Sequence, residues 1–164
     1  MTRQERAAAA QQSARWHAMR RSSRLYALVA AGSAIGGVLR GIVSLAVQGP
    51  PGAHFPWSTF PWATFPWATL FVNVTGSFLI GFYATLSGPE GRLFAGSHQR
   101  QFVMAGVCGG YTTFSVFSLE TFDFLRAGEL TSAGLNLGAS IVGWLSAVWI
   151  GHKLATSIND LRRS

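Results

Sequence analysis

Four long stretches of this chain are apolar and nearly free of charge, and they dominate its pattern. Leu25 to Val47 carries Arg40 as its one charge, and Trp67 to Leu86 carries none. Gln101 to Phe124 is apolar until Glu120 and Asp123, and Leu130 to Ile150 is uncharged. A helix needs about 20 mostly apolar residues to cross the hydrocarbon of a bilayer. The pattern therefore predicts four spans, at about 25–47, 67–86, 101–124 and 130–152. Gly88 and Pro89, in SGPEG, punctuate the end of the second.

The start of the second span has to be found inside a repeat. Residues 55 to 69 read FPWSTFPWATFPWAT, one five-residue phrase written three times. A helix over all of 55–86 would place three prolines in one element, each lacking a donor and clashing with the preceding turn. Starting at Pro66 and Trp67 gives a span of the required length, with proline in a first turn and tryptophan at an interface. The first two copies then read as extra length in an external loop.

A secretory signal is the competing reading of the first run. Such a signal has an apolar core of about 7–15 residues followed by a small-residue cleavage site. Apolar sequence resumes after Arg40 with no A-x-A site, which predicts a retained span.

Composition agrees with a membrane protein. Of 164 residues 49% are hydrophobic and 12% charged, against roughly 25% charged in an ordinary soluble domain. The expected fold is all-α, with four transmembrane helices. The single Cys108 excludes an intramolecular disulfide and offers no metal-ligand spacing. No Ser/His/Asp arrangement, P-loop or H-E-x-x-H motif is present, so the sequence shows no enzyme chemistry.

The net charge of +7 raises the question of nucleic acid, but the position of the charges points elsewhere. Arg3, Arg6, Arg15, Arg20, Arg21 and Arg24 precede the first span, Arg92 and Arg100 lie between the second and third, and Lys153, Arg162 and Arg163 follow the fourth. Those eleven share one side of a four-span protein, and the opposite loops hold Arg126 alone. Lys and Arg accumulate in cytoplasmic loops, so both termini are expected in the cytoplasm. Nothing resembling a recognition helix accompanies the arginines, and no nucleic-acid partner is expected. Residues 1–24 read as a basic cytoplasmic tail, mobile or partly helical. The membrane domain covers 25–154, and 155–164 is a short cytoplasmic tail.

Polar residues within the spans are functional candidates by default. The first span holds G-x-x-x-G twice, Gly32/Gly36 and Gly37/Gly41, a spacing that permits close helix contact. Its Arg40 has two readings, a side chain snorkelling to the interface or a cation lining an aqueous vestibule, and charge alone does not choose between them. The second span clusters Asn73, Thr75 and Ser77. Asn73 can offer two N–H donors to a ligand or bond a neighbouring helix. The third reads GVCGGYTTFSVFSLE over 106–120, a poor recipe for continuous helix. It fits either a kinked helix or one broken near its middle, tolerated where the freed backbone is buried or lines a cavity. Phe114 and Phe117 are three apart on one face, and Asn136 and Ser140 of the fourth span are four apart. Trp144 and Trp149 read as lipid-facing or packing residues. Glu120 reads as an interfacial charge.

Three motifs in order, GGVLRG (36–41), NVTGSFLIG (73–81) and GVCGGYTTFSVFSLE (106–120), resemble the CrcB/Fluc family of fluoride channels. The resemblance covers about residues 25 to 152. It implies a small channel in the cell membrane that passively exports cytoplasmic fluoride, built from two antiparallel four-helix subunits with two pores. It further implies a central, non-transported Na⁺ held by main-chain carbonyls of the broken third helix, here those of Gly109 and Thr112. The pore phenylalanines would be Phe114 and Phe117, the span-two asparagine Asn73 and the vestibule arginine Arg40. Thr113, Ser115, Asn136 and Ser140 would belong to the polar track. Two departures stand out: Val116 where the family usually has Thr, and Tyr111 where it often has a smaller apolar residue.

Residue chemistry is consistent with that implication. Fluoride holds water tightly, so a narrow pore must supply replacement donors, which Asn and hydroxyl side chains provide. A phenyl ring has a positive edge that an anion can meet. The eleven-to-one charge bias bears on the partner. One antiparallel homodimer must insert both ways, whereas a strong bias fixes one topology. The expected second subunit is therefore a paralogue of opposite orientation, with the homodimer as the alternative. Two other functions compete. A proton-coupled multidrug exporter needs a carboxylate in the first span, and none is there. A membrane scaffold with a basic tail leaves the polar third span unexplained.

Overall fold

A computed structural model describes residues 3–48, 65–89 and 91–161. The first two copies of the repeat, at 55–64, lie outside the described residues, as do Arg162 and Arg163. Every regular element among the described residues is helical, and four of the helical stretches are long and apolar enough to cross a membrane.

Helix α1 runs unbroken from Arg3–Gln48. The basic stretch expected as a tail is thus helical and continuous with the first span. Its sequence explains this: residues 3–21 are mostly Ala, Arg, Gln and Met, strong helix formers, without Gly or Pro. At 1.5 Å per residue the 46 residues of α1 extend about 69 Å, more than twice the ~30 Å hydrocarbon core.

Helix α2, Trp67–Leu86, begins and ends where the sequence pattern put it. Pro66 is its cap, with φ −78° and ψ 64°, and the Leu70 N–H returns to the Pro66 carbonyl at 3.0 Å. At the far end the Ser87 N–H and hydroxyl both bond the Tyr83 carbonyl, at 2.9 and 2.7 Å.

The third span is broken. Its first half, α3 (residues 97–111), is α-helical over Ser97–Gln101, widens to a π-helix over Phe102–Cys108, and closes with one α-turn at Gly109–Tyr111. Thr112 (ψ 158°) and Thr113 (φ −146°, ψ 118°) are extended. Helix α4, Phe114–Arg126, then resumes. The break falls at the midpoint of the span, and the π segment is an addition that the sequence did not announce.

A tight turn links α4 to the last helix. Gly128 sits at φ +78°, the left-handed region that glycine enters without penalty. The Glu129 N–H reaches back to the Phe124 carbonyl at 2.9 Å and the Gly128 N–H to Leu125 at 3.2 Å, the bonding pattern of a glycine helix stop. Helix α5, Leu130–Asp160, follows and continues eight residues beyond the expected end of the fourth span.

Packing relies on close backbone approach. A Cβ placed on Gly36 would collide with the Val107 carbonyl, and one on Gly110 with the main chain of Ser33, so α1 and α3 touch almost backbone to backbone. Gly81 of α2 meets the Val148 carbonyl of α5, and Gly151 of α5 meets that of Phe78. Both G-x-x-x-G pairs of the first span were expected to mediate close contact. Gly32/Gly36 does, but a Cβ at Gly37 or Gly41 would meet nothing within 4 Å, so that pair faces away from the described chain. Large apolar side chains such as Ile35, Phe122, Leu135 and Leu145 point outward, while Asn73, Thr113, Asn136 and Ser140 are buried. A lipid-facing exterior and a partly polar interior are what a bilayer solvent selects.

Candidate functional site

The broken span needs partners for the backbone groups it releases, and α2 supplies them. Asn73, 5% exposed, accepts the Thr113 N–H on Oδ1 at 2.7 Å and donates from Nδ2 to the Thr113 carbonyl at 2.9 Å. One side chain amide thereby replaces both helical bonds of Thr113. The Thr113 hydroxyl accepts the Val116 N–H at 3.2 Å and caps α4, a common role for threonine at a helix start. It also lies 3.3 Å from the Ser115 hydroxyl. On the other side of the break, the Thr112 N–H and hydroxyl both bond the Cys108 carbonyl at 3.0 Å and finish α3.

Beside this junction is a cavity of about 200 Å³, lined by Asn73, Ser77, Ile80, Thr112, Thr113, Phe114 and Trp144. The structure thus gathers Asn73, Thr113 and Phe114 at one place. Phe114 is 71% exposed on the isolated chain and Phe117 is buried, their ring centroids 5.6 Å apart. Trp144 meets Phe117 edge to face, with centroids 4.9 Å apart. Arg40 points into the protein: its Nη1 lies 3.4 Å from the Thr112 carbonyl. It does not snorkel away from the break.

Asn136 and Ser140 are both buried on α5. Asn136 donates to the Thr121 hydroxyl of α4 at 2.9 Å, which places it past Phe117, away from the cavity wall. Ser115 lies on the exposed side of α4, as does Val116, which therefore removes no hydroxyl from the cavity lining. The Tyr111 hydroxyl lies 3.0 Å from that of Thr75, so this bulky residue has a polar partner on α2. Gly109, at the last turn of α3, is exposed.

Two residues count for more than the sequence reading gave them. Glu120, expected as an interfacial charge, accepts the Thr69 hydroxyl on Oε1 at 2.7 Å, and its Oε2 is buried with no partner. Helical spacing held the signal. Glu120 is three residues beyond Phe117, and Thr69 four before Asn73, so each continues the face of a site residue. Trp144, expected in lipid or in packing, is part of the cavity wall and stands four residues beyond Ser140. Among the described residues, no group of three or more His, Cys, Asp or Glu could hold a metal through side chains.

Fold and site together describe a four-span membrane protein whose third helix is interrupted beside a cavity lined by Asn73, hydroxyl side chains and apolar side chains. The chain belongs to the CrcB family: the model for "CrcB-like protein, Camphor Resistance (CrcB)" matches residues 27–152. It is not an enzyme family. Curated relatives agree along most of their length. "Fluoride-specific ion channel FluC 1" of Rhodopseudomonas palustris (strain BisB18) is 58% identical over 88% of this chain and 95% of its own. The protein of the same name from Bradyrhizobium diazoefficiens is 51% identical over 88% of this chain and 93% of its own. "Fluoride-specific ion channel FluC" of Opitutus terrae is 49% identical, covering 85% and 98%.

Proposed function

We propose that this protein is a fluoride-specific channel that lets cytoplasmic fluoride leave the cell passively, down its gradient. The observation that carries the reading is the junction of Asn73 with the break, at a cavity walled by Phe114 and hydroxyl side chains. The names of the relatives supply the ion. Chemically, the Asn73 amide keeps a second N–H after bonding Thr113, and Ser77 adds a hydroxyl at the same wall, whereas the Thr112 hydroxyl already donates to the Cys108 carbonyl. A small, strongly hydrated anion needs such donors to exchange for water. Phe114 and Phe117 can present their positive ring edges to it.

The working unit in this reading is an antiparallel pair of subunits in the cell membrane, with cytoplasmic termini. Phe114 is largely uncovered on one chain, as a residue completing a pore against a second subunit would be. The charge bias favours a paralogue of opposite topology over a second copy. Mapping the topology of the chain expressed alone tests this, and equal amounts of both orientations would overturn it.

A structural Na⁺ between the subunits fits the donor set. In an unbroken helix the Thr113 N–H would return to Gly109 and the Val116 N–H to Thr112. Here those donors go to Asn73 and to the Thr113 hydroxyl, leaving the Gly109 and Thr112 carbonyls without their helical partners. Two carbonyls from each of two chains would give a hard cation four oxygens. When bound, the ion would hold the two breaks together electrostatically. The Thr112 carbonyl also accepts Arg40 Nη1 at 3.4 Å, so a cation ligated there requires that guanidinium to turn aside, and the same positive charge suits an anion vestibule.

The test is fluoride efflux from proteoliposomes read with an ion electrode. Efflux from the chain, alone or with its paralogue, is expected, and chloride should not substitute. Absence of fluoride flux under both conditions would remove the reading.

A further inference from the structure

Trp144 presents a donor that no described hydrogen bond uses. Its indole nitrogen is buried and has no hydrogen-bond partner, although its ring forms part of the wall of the Asn73 cavity. An indole N–H can only donate, and a buried donor left unpaired is destabilising. Among the described residues Tyr83 Oη, Arg100 Nε and Glu120 Oε2 are also buried without a partner, and of the four only Trp144 lines this cavity. Leucine or phenylalanine would fill the same position without that cost.

The surroundings select the kind of acceptor. Asn73 has committed Oδ1 and one N–H to Thr113, and the Thr113 hydroxyl already accepts from Val116. Phe114 is part of the same cavity wall, and Phe117 packs edge to face on the indole with centroids 4.9 Å apart. No carboxylate lines this cavity, and its polar lining groups are hydroxyls, backbone and one amide. Trp144 also follows Asn136 and Ser140 at successive four-residue steps, so it continues their polar stripe along α5. The indole nitrogen is itself buried, so an anion in the cavity reaches the N–H only when the ring turns about its terminal torsion, which is broad for aromatic side chains.

We propose that Trp144 is a fluoride-binding residue: its indole N–H donates to a partly dehydrated fluoride held in the cavity between Asn73 and Phe114. This rests on the channel reading and extends it to a residue on α5. The ion would trade a water of hydration for the indole donor. Its pairing there would also satisfy the buried indole nitrogen, which has no partner among the described residues.

The experiment uses the full-length protein, with its paralogue if assembly requires one, in two arms. In the first, the six tryptophans are labelled with ¹⁵N at the indole, and the Trp144 resonance is assigned by its disappearance in Trp144→Phe. Fluoride is expected to shift this resonance in a saturable way, and chloride at equal concentration is not. In the second, Trp144→Phe keeps an aromatic ring but removes the donor, and its fluoride efflux should fall about tenfold or more while its gel-filtration profile is unchanged. A Trp144 resonance indifferent to fluoride overturns the proposal, and so does efflux from Trp144→Phe within about twofold of the unmodified protein. If the unmodified protein moves no fluoride yet its Trp144 resonance still shifts, the binding residue stands and the channel reading fails.

Discussion

Helix α2 and the third span face each other across the cavity, and both are rich in Gly, Ser and Thr, yet only one of them breaks. In α2 the hydroxyls of Thr75 and Thr85 serve their own helix. Thr75 bonds the Phe71 carbonyl at 2.7 Å and Thr85 bonds the Gly81 carbonyl at 2.9 Å, each one turn back, and the backbone ladder continues. In the third span the side chains serve to end one helix and begin another. Thr112 closes α3 on the Cys108 carbonyl, Thr113 caps α4, and the orphaned backbone of Thr113 is collected by Asn73. Hydroxyl content does not break a membrane helix. A break requires a partner outside the helix that takes over the released N–H and C=O, because hydrocarbon offers none.

That contrast can be attacked first at its centre. Asn73→Asp keeps an acceptor for the Thr113 N–H but sets a carboxylate oxygen against the Thr113 carbonyl and against any anion in the cavity. Fluoride efflux should drop about 100-fold or more, equivalent to roughly 2.7 kcal/mol, with folded protein still recovered by gel filtration. Efflux near the unmodified rate would mean that Asn73 only splices the backbone.

Phe114 sits on the exposed flank of the broken span, where side-chain loss costs little packing in one chain. Phe114→Ile should therefore leave yield unchanged and cut efflux about tenfold or more, as the ring edge disappears while bulk remains. Normal efflux would move the ion path off this flank.

The cap gives a smaller effect. Thr113→Ala leaves the Val116 N–H without its acceptor and should lower stability by about 1 kcal/mol, while Thr113→Ser retains the oxygen and should restore it. Thermal unfolding in detergent reads both. Equal melting of all three proteins would show that the cap contributes nothing to the break.

Tyr111→Phe should have the mildest consequence. It loses only the 3.0 Å contact with Thr75, so stability should fall by no more than about 1 kcal/mol and efflux should stay within about twofold. A large loss of efflux would give this bulky substitution a place in conduction.

Much of this comparison could be read from residues in order, because punctuation is local. Pro66 and SGP fixed the ends of α2, and GGYTTFS located the break, since glycines followed by threonines discourage helix and supply caps. Other features depend on a neighbour or leave no local mark. The π segment at Phe102–Cys108 has no residue periodicity of its own. Glu120 looked interfacial until Thr69 was found bonded to it from another helix. Trp144 looked like any membrane tryptophan until the cavity put Asn73 and Phe114 around it. The helical amino-terminal stretch is legible in its alanine and arginine content, since both are strong helix formers.

Pro66 sets a depth gauge for the ion path. Asn73 stands seven residues on, about 10 Å along α2 at 1.5 Å per residue, and the first helical bond is already anchored at the Pro66 carbonyl. Residues gained or lost before that proline do not change the distance, because no helical ladder carries their length forward. A phrase repeated ahead of Pro66 therefore lengthens the chain without moving Asn73 relative to the start of α2. An insertion of even one residue between Pro66 and Asn73 would turn that side chain by about 100°, away from the break it splices.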